Sequence, residues 1–412
     1  MSSRKASDDA PADLPLSGMR ICVLVSNDTS IDSRVKKESA ALAEAGAHVT
    51  LIGERGQKPY SGDVLKLPYN LILTQKTEIP EWYSRWGRET VFYPLRVAVN
   101  LSLEPIRRRN FASIRPWILK AVRGRKFDVV HANDFDMLAT GTELARRSGA
   151  KLVYDSHEIF LAPGRVIAQE SYLEELRKQE GQLIRQVSGF ITVNPLVAEY
   201  LNECYKIPVK PTIIYNGAAQ MASQPQPAHR PLRLLFLGSL QSCYHLADLL
   251  PLFKRYRGKL IFTLYGFDGE FETICSVIEQ KELADFITVL PPVDTNDIVA
   301  TSKNFDVGLY NITPAHFNAR FSSPNKFFDY LAAGLAVLAP TSVPFVAQEI
   351  KKTGCGYTYD QQQPEDLLPA LDYLIAHPDE VSAMKRNALA TAPRFSWDAQ
   401  KVKLVELYSS LR

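Results

Sequence analysis

Residues 20–52, RICVLVSNDTSIDSRVKKESAALAEAGAHVTLI, carry a clear indication of the fold class. An apolar run, Arg20–Val25, precedes a segment of helical spacing, Asp32–Ala45, which ends at Gly46 and is followed by a second apolar run, His48–Ile52. Two such runs around an amphipathic helix predict a βαβ unit in a parallel sheet. The loop between the first strand and the helix contains no glycine, so the sequence does not predict the glycine-rich turn of a dinucleotide-binding domain.

The same alternation continues through the first half of the chain. Further strands are predicted at Phe127–Ala132, Lys151–Tyr154, Phe190–Val193 and Pro211–Tyr215, with a helix at Ser171–Gln186. Strands and helices that alternate in this way indicate a Rossmann-like domain, which we place at residues 19–217. The polar residues 1–18 are predicted to form a disordered tail.

The pattern starts again after an irregular segment. AAQMASQPQPAHR has two prolines and no apolar period, so residues 218–231 are predicted to be a linker. A second Rossmann-like domain is predicted at 232–394, and an amphipathic helix within 395–412 is expected to cross back to the first domain. The predicted strands of the second domain are Leu232–Leu237, Leu260–Tyr265, Ile287–Leu290, Asp306–Tyr310 and Leu335–Leu338; its helices start at His245, Glu270, Thr295, Pro324 and Phe345, followed by Pro364–Ala376, Asp379–Ala392 and Asp398–Leu411.

The composition is that of a globular protein. Hydrophobic residues make up 46% of the 412 and charged residues 23%, and the formal net charge of +3 does not suggest a nucleic-acid-binding protein. Five scattered cysteines lack the spacing of a zinc or redox site, which predicts a reducing, cytoplasmic location. The polar start resembles neither a signal peptide nor an anchor, and no apolar run reaches the roughly 18 residues of a membrane-spanning helix. Membrane association is therefore expected to be peripheral.

Residues 81–126 interrupt the strand and helix rhythm. No acidic residue occurs between Glu104 and Asp128. The segment combines the aromatic residues Trp82, Tyr83, Trp86, Phe92, Tyr93 and Trp117 with the basic residues Arg107, Arg108, Arg109, Arg115, Lys120, Arg123, Arg125 and Lys126. Aromatic rings beside cations suit the inner face of the cell membrane or a phosphate-bearing lipid acceptor. The alternative is an ordinary helix with a solvated basic face.

Two candidate ligand-binding loops lie in the first domain, because open parallel sheets bind ligands beyond the carboxyl ends of their strands. The loop after the first strand supplies three candidate substrate-binding residues, Asp28, Asp32 and Arg34. The segment DSHE at Asp155–Glu158 supplies one more, Asp155, with His157 and Glu158 as candidate catalytic residues. Histidine can donate or accept a hydrogen bond near neutral pH, which suits recognition of sugar hydroxyls. The alternative is a turn in which Asp155 and Ser156 cap the segment that follows.

Two glycine-containing turns flank the predicted linker. Asn216 precedes Gly217 on one side, and Gly238 precedes Ser239 on the other. Gly238 would allow a ligand to approach the backbone closely, and the N–H groups near Ser239 could hold a phosphate. Asn216, Gly238 and Ser239 are therefore candidate substrate-binding residues, although each pair is also a common turn.

The most informative stretch is RFSSPNKFFDYLAAGLAVLAP, residues 320–340. Ser322 or Ser323 is expected to cap a helix that Pro324 begins and Gly334 ends. The N-terminus of a helix attracts anions, so a diphosphate is expected beside it. We assign catalysis to Lys326, and substrate binding to Arg320, Ser323, Asn325 and Asp329. The alternative is a well-capped packing helix with solvated charges.

In these segments the chain resembles glycosyltransferase family 4. The resemblance is carried by DSRVKKESAALAEAGAHVTLIG, FDVVHANDFDMLATG, KLVYDSHEIF, PTIIYNG, RLLFLGSL, SPNKFFDYLAAGLAVLAP and FSWDAQKVKLVELY, in the expected order. It implies the GT-B fold, an α/β architecture of two Rossmann-like domains facing a central cleft. It also implies transfer of a sugar from a UDP- or GDP-linked donor, held by the second domain, to a glycan or lipid-linked acceptor. Retention of the anomeric configuration, no bound metal and no cofactor are implied as well.

Two positions depart from the family pattern. Asp329 matches the second Glu of the family's Glu-x7-Glu motif, but Phe321 stands where the first Glu is expected. The basic pair expected after Gly238 is also missing, so the resemblance leaves phosphate binding to Lys326, Arg320 or His245. A nucleotide-sugar epimerase of the same fold and a non-catalytic carbohydrate-binding relative remain alternatives.

Overall fold

A computed structural model describes residues 14–29, 32–55, 66–74, 114–162, 170–312 and 317–412. Within it the chain divides into two compact units. The first contains residues 1–214 together with 401–412, and the second contains residues 215–400. The predicted aromatic segment up to residue 113 and the start of the predicted tail lie outside the described residues.

The first unit is built on a parallel sheet of seven strands in the order β3-β2-β1-β4-β5-β6-β7. Its central strands are buried on both faces, which explains why they read as continuous apolar runs. The strands are β1 (Arg20–Asp28), β2 (His48–Glu54), β3 (Asn70–Thr74), β4 (Val129–Asn133), β5 (Lys151–Ser156), β6 (Gly189–Thr192) and β7 (Pro211–Ile213). Its helices are α1 (Ser33–Glu44), α2 (Asp134–Ser148), α3 (Glu170–Ile184) and α4 (Pro195–Tyr205), with a helical segment at 114–121.

The second unit repeats the plan with six parallel strands in the order β10-β9-β8-β11-β12-β13. Leucine, phenylalanine and valine side chains from the strands and the flanking helices form its core. The strands are β8 (Leu232–Ser239), β9 (Leu260–Phe267), β10 (Ile287–Leu290), β11 (Val307–Leu309), β12 (Ala336–Pro340) and β13 (Gly356–Tyr359). The helices are α5 (Leu246–Leu249), α6 (Phe271–Gln280), α7 (Ile298–Ser302), α8 (Asn325–Ala333), α9 (Pro344–Thr353), α10 (Leu368–Ala376) and α11 (Pro378–Thr391).

The last helix, α12, spans Trp397–Ser409. Its later part groups with the first unit, where Leu404 and Tyr408 are fully buried. Lys403 donates a hydrogen bond to the Ile213 carbonyl oxygen, and Arg412 donates one to the Ser17 carbonyl oxygen. The chain therefore returns to the first unit after completing the second.

The segment between β7 and β8 has no regular secondary structure. Several hydrogen bonds join it to the rest of the second unit. The Ala222 N–H donates to the Ala332 carbonyl oxygen, the Ala228 N–H to the Ser382 hydroxyl, and His229 to the Asp306 carboxylate. Asp306 also accepts a hydrogen bond from the buried ammonium group of Lys385 at 2.8 Å. These bonds fasten the segment to its own unit.

The prediction of two Rossmann-like sheets is confirmed, while several boundaries were wrong. The first strand continues to Asp28, so Ser26–Asp28 belong to β1 and not to a loop. Strands β3 and β13 were missed, because each is short and only partly buried. Among the described helices, none is both long and apolar enough to cross a membrane.

Candidate active site

In each sheet the first three strands are added toward one edge and the later strands toward the other. The order therefore switches between β1 and β4 in the first sheet and between β8 and β11 in the second. In open α/β sheets, ligands bind at this switch point, outside the carboxyl ends of the strands. The buried ion pair of Arg34 with Asp155 lies there in the first unit, and the buried ammonium of Lys326 lies there in the second.

In the first unit, Arg34 forms a buried ion pair with Asp155. Its guanidinium lies 2.9 Å from the carboxylate through Nη2 and 3.0 Å through Nε, and it also donates to the Ile214 carbonyl oxygen at 2.8 Å. A second carboxylate, Glu38, lies one helical turn after Arg34, with Oε1 3.1 Å from Nε. The predicted residues Arg34 and Asp155 are therefore brought together, and they are shielded from solvent.

His157 lies at the edge of this cluster, and its side chain is 19% exposed. Its Nε2 is 3.3 Å from Asp155 Oδ2 and 3.1 Å from Asn133 Oδ1, while its Nδ1 is 3.4 Å from Asp134 Oδ2. Asn133 donates its amide N–H to the Leu24 carbonyl oxygen, which fixes its oxygen toward the histidine. Because both ring nitrogens face acceptors, both need a hydrogen, and His157 is an imidazolium.

The electrostatics agree with this geometry. Burial alone would lower the pKa of His157, but the carboxylates of Asp134 and Asp155 outweigh it and raise that pKa to about 10. Burial would raise the pKa of Asp155, yet Arg34 and His157 hold it well below its ordinary value. Burial raises the pKa of Glu38 to about 7, against the opposing charge of Arg34. His157 is thus suited to donate hydrogen bonds, not to remove a proton.

The side chains of Glu38, His131 and Asp155 each place one potential ligand atom within 4.8 Å of the others, as a metal site would. The guanidinium of Arg34 already contacts both carboxylates, at 3.1 Å and 2.9 Å. A further cation would be repelled by this charge at close range. These residues therefore do not fit a resident metal.

In the second unit, Lys326 is held over aromatic rings at the β8/β11 switch point. Its Nζ lies 3.8 Å from the ring centroid of Phe236, 4.3 Å from that of Tyr244 and 5.7 Å from that of Tyr310. The residue as a whole is partly exposed, but Nζ is buried and has no hydrogen-bond partner among the described residues. Burial lowers the pKa of Lys326 to about 7, opposed by Cys243 and Asp329.

Gly238 lies against the same ammonium group. It has a φ of 110°, a conformation that favours glycine, and a Cβ added there would lie 3.7 Å from Lys326 Nζ. Ser239 follows at the end of β8, and its hydroxyl accepts a hydrogen bond from the Gln241 amide at 2.7 Å. The turn after β8 and Lys326 are thus brought together as neighbours of one site.

The expected helix cap at Ser322 or Ser323 is wrong. Helix α8 starts at Asn325 with Pro324 in the capping position and no side-chain capping bond, and the Ser322 hydroxyl donates to the Ala319 carbonyl oxygen at 3.0 Å. In the first turn the Phe327 N–H donates to the Pro324 carbonyl oxygen at 2.9 Å, so an anion would be bound by the N–H groups of Asn325 and Lys326. Gly334 ends the helix with a φ of 70°, as predicted.

The remaining candidates near α8 differ in exposure. Arg320 and Asn325 are exposed, whereas Ser323 and Asp329 are partly buried. Phe321, at the position of the expected carboxylate, packs against Phe317 with ring centroids 5.2 Å apart. No described residue forms an ion pair with Arg320, so its guanidinium is available to a ligand.

Other predicted residues have local partners. Asp32 caps α1 by accepting the Val35 N–H at 3.1 Å, and Asp28 ends β1. His245 has a φ of 50° and pairs with Asp248 at 3.1 Å through Nδ1. Asn216 has a buried Oδ1 that lacks a hydrogen-bond partner among the described residues. The side chain of Glu158 is partly exposed beside His157.

Three residues of the first cluster were not predicted, namely Glu38, His131 and Asp134. Asp134 accepts the His157 N–H at 2.9 Å and has a φ of 58°, a strained conformation for a residue other than glycine. The position of Asp134 directly after β4, in HANDFD, was a usable signal. Glu38 had none, since it lies inside a helix, and His131 had only its polar character within a buried strand.

Two protein-family models match the chain. The model described as "Glycosyltransferase Family 4" matches residues 33–219, and the one described as "Glycosyl transferases group 1" matches residues 220–391. No functionally curated protein matches the chain in sequence.

Solved structures share the fold at low sequence identity. A sucrose-phosphate synthase from Thermosynechococcus elongatus is 17% identical with a TM-score of 0.68, and the alignment covers 95% of this chain and 99% of that one. A glycosyltransferase from Rickettsia africae is 15% identical with a TM-score of 0.65, covering 95% and 98%. HepE from Anabaena, solved in complex with UDP and glucose, is 15% identical with a TM-score of 0.60, covering 95% and 100%.

Proposed function

Because this chain belongs to glycosyltransferase family 4 and is a GT-B glycosyltransferase, we propose that it transfers a sugar from a UDP- or GDP-linked donor to a glycan or lipid-linked saccharide. We further propose that transfer retains the anomeric configuration, needs neither metal nor cofactor, and serves polysaccharide synthesis. The family likeness supports retention. The fit of Arg34 among the buried carboxylates supports metal independence, since it occupies the place that a cation would take.

The observation that carries the donor proposal is the buried Nζ of Lys326, which has no hydrogen-bond partner among the described residues. A buried ammonium without a hydrogen-bond acceptor is costly, and a diphosphate oxygen would supply both the acceptor and the opposite charge. The N-terminus of α8 begins one residue away at Asn325, and Gly238 leaves room for the ligand. Lys326 would then stabilise the negative charge that develops on the leaving diphosphate.

A uridine nucleotide is the favoured donor headgroup. HepE, whose fold this chain shares, has been solved with UDP and with UDP-glucose. That observation describes HepE, and it supports UDP as the first donor to test here. Arg320, exposed and free of ion pairs among the described residues, is the second candidate phosphate ligand.

The test is turnover of UDP- and GDP-sugars by purified protein, with the product identified by NMR. Lys326→Ala should lower kcat/KM by about 100-fold or more, the loss typical of removing one charge-stabilising donor. Lys352→Ala, which changes a lysine in the last turn of α9, is the matched control and should retain full activity. Unchanged turnover in Lys326→Ala would refute the assignment, and an epimerised donor without acceptor would identify an epimerase.

Metal independence and stereochemistry are checked in the same assay. Activity should survive exhaustive treatment with a chelator, and the new glycosidic bond should keep the anomeric configuration of the donor. Loss of activity that is restored by a divalent cation would contradict the first expectation. An inverted product would contradict the expectation of retention. It would point to Phe321, which stands where the family pattern has a Glu, as the cause.

We place the enzyme in the cytoplasm, at the inner face of the cell membrane. All five cysteines are free thiols, as a reducing compartment favours. The described end of the basic segment exposes Trp117, with its side chain 48% exposed, and Lys120 lies 5.8 Å from its ring centroid. Later in the same segment Arg123, Arg125 and Lys126 are also exposed. An exposed aromatic ring beside a cation suits an anionic bilayer surface.

Vesicle co-sedimentation tests this surface. The protein should bind phosphatidylcholine vesicles that contain phosphatidylglycerol more tightly than pure phosphatidylcholine vesicles. Combined Trp117→Ala and Lys120→Glu substitutions should abolish the difference, whereas Lys351→Glu with Lys352→Glu in the second unit should not. Equal binding by both variants would contradict the proposal.

A further inference from the structure

Tyr408, in the last helix, contributes a buried hydroxyl to the charged cluster of the first unit. The residue is 0% exposed, and its hydroxyl lies 2.6 Å from Nδ1 of His131. The two rings stack with centroids 6.2 Å apart and an interplanar angle of 25°. Burial raises the pKa of Tyr408 well above its ordinary value, so the hydroxyl keeps its proton and is a hydrogen-bond donor.

The other nitrogen of His131 faces two carboxylates. Nε2 is 3.7 Å from Asp155 Oδ2 and 3.8 Å from Glu38 Oε2, and it has no closer hydrogen-bond partner among the described residues. A neutral imidazole carries one hydrogen. If Tyr408 donates to Nδ1, that hydrogen is on Nε2, where it is attracted by both carboxylates. The opposite tautomer would direct a lone pair at them.

We infer that Tyr408 is a positioning residue of the transferase: its hydroxyl holds His131 in the Nε2–H tautomer, His131 orients Asp155, and Asp155 orients the imidazolium of His157. The last link rests on the proposed function, because His157 matters to transfer only if it contacts substrate. The contacts of Tyr408 with His131 and of His131 with Asp155 rest on the measured distances alone. The inference gives the C-terminal helix a part in the chemistry of the first unit besides packing.

Tyr408→Phe separates positioning from packing. Phenylalanine keeps the ring and its burial, and removes only the hydroxyl, so His131 Nδ1 loses its donor. His131 should then exchange between tautomers, and in the opposite tautomer it directs a lone pair at Asp155. Asp155 should then be held less well toward His157, so His157 should lose its proton at a lower pH than in the wild type. The groups that face these two histidines are Glu38, Asp134, Asp155, Arg34, Asn133 and Tyr408.

The experiment is 15N NMR of histidine-labelled full-length protein, combined with kinetics. In the wild type, His131 should show a proton on Nε2 only, and His157 should show protons on both nitrogens. Tyr408→Phe should change the His131 signals and lower the titration midpoint of His157. It should also reduce kcat by about 10-fold with KM for the donor nearly unchanged, because it removes a group that orients a functional side chain without contacting substrate. The matched control, Tyr373→Phe, removes a surface hydroxyl bonded to Glu380 and should change none of these.

Each outcome decides a separate point. Unchanged histidine signals in folded Tyr408→Phe would overturn the inference. If that variant does not fold, the wild-type spectrum still decides, since a proton on His131 Nδ1 or a cationic His131 would overturn it. Absence of any transferase activity in the wild type, with the expected histidine signals, would refute the proposed function and leave the tautomer assignment standing.

Discussion

His157 has acceptors on both sides of its ring, and this distinguishes it from a histidine that acts as a general base. Asp134 and Asp155 hold its two nitrogens at 3.4 Å and 3.3 Å. We predict that its NMR titration midpoint lies near the value of about 10 that the carboxylates impose, not near 6.5. Asp134→Asn should lower the midpoint by about 1 unit or more, since it removes one adjacent negative charge. A wild-type midpoint close to 6.5 would show that the imidazolium assignment is wrong.

Arg34 balances the negative charge of the same cluster. Removing one partner of a buried ion pair leaves an uncompensated charge, so Arg34→Met should lower the free energy of unfolding by about 3–5 kcal/mol. Arg34→Lys should also destabilise, because an ammonium cannot reproduce the forked contacts with Asp155 and Glu38. Urea denaturation followed by circular dichroism measures both.

The matched control is the exposed pair between Arg20 and Asp128. Its side chains are 47% and 41% exposed, so solvent screens the charges and Arg20→Met should cost at most about 1 kcal/mol. Equal losses in Arg34→Met and Arg20→Met would contradict the claim that burial makes the difference.

Among the helices, α1 shows that a predicted binding residue can also cap a helix. Asp32 was predicted to bind substrate, and in the structure it accepts the Val35 N–H at 3.1 Å at the start of α1. Asp32→Ala should therefore destabilise the protein by about 1 kcal/mol, the usual loss for a helix N-cap. Asp32→Ser should keep both stability and activity, because serine also caps. A loss of activity in a stable Asp32→Ser protein would support the predicted substrate-binding role.

The regular elements followed from the sequence because their signals are local. Helix α8 was expected between Pro324 and Gly334, and it extends over Asn325–Ala333. Strand β10 was predicted at Ile287–Leu290 and occupies that range. Buried parallel strands are short apolar runs, and each amphipathic helix repeats its apolar positions, so both can be recognised in one window of sequence. Short, partly buried edge strands such as β13 lack that contrast.

The contacts of the candidate site could be predicted only in part. The strand-end rule pointed to His157, Asp155 and the turn at Gly238, because carboxyl ends of parallel strands share one edge. The pairing of Arg34 with Asp155 joins residues 121 positions apart, and no local pattern encodes it. His131 lies inside β4, where a polar residue in a buried strand was the sole trace of a partner elsewhere. The aromatic rings around Lys326 likewise come from three separate segments.

Across the whole molecule, the two sheets share one strand order, but the charges buried at their switch points differ in sign. The first unit buries a cluster with more carboxylates than cations at its switch point. The second unit buries a lone ammonium at the equivalent place. A sugar nucleotide has a neutral, hydroxyl-rich end and a negatively charged diphosphate. Within the second unit, the buried ammonium suits an anion, so the proposed function expects the diphosphate beside Lys326.

As pH rises, the loss of protons from His157 in the first unit and from Lys326 in the second should change the free energy of unfolding in opposite directions. Folded His157 has a raised pKa of about 10 against 6.5 in the unfolded chain, so folded protein holds a proton that unfolded protein has lost, and stability falls as pH rises across that window. Folded Lys326 has a lowered pKa of about 7 against 10.5, so the unfolded chain holds the extra proton, and stability rises with pH between those values.

Two variants separate these effects in calorimetric scans from pH 7 to pH 10. Lys326→Met should raise the melting temperature most near pH 7, where the wild type buries a charge, and the gain should vanish toward pH 10. His157→Gln should destabilise most near pH 7, and its deficit should also shrink as pH rises, because the wild type loses its imidazolium. Each unit of pKa difference corresponds to about 1.4 kcal/mol at most, and partial exposure of both side chains reduces it. Differences from wild type that stay constant with pH would show that neither group changes its protonation on folding, and would remove the electrostatic basis for assigning phosphate to the second unit.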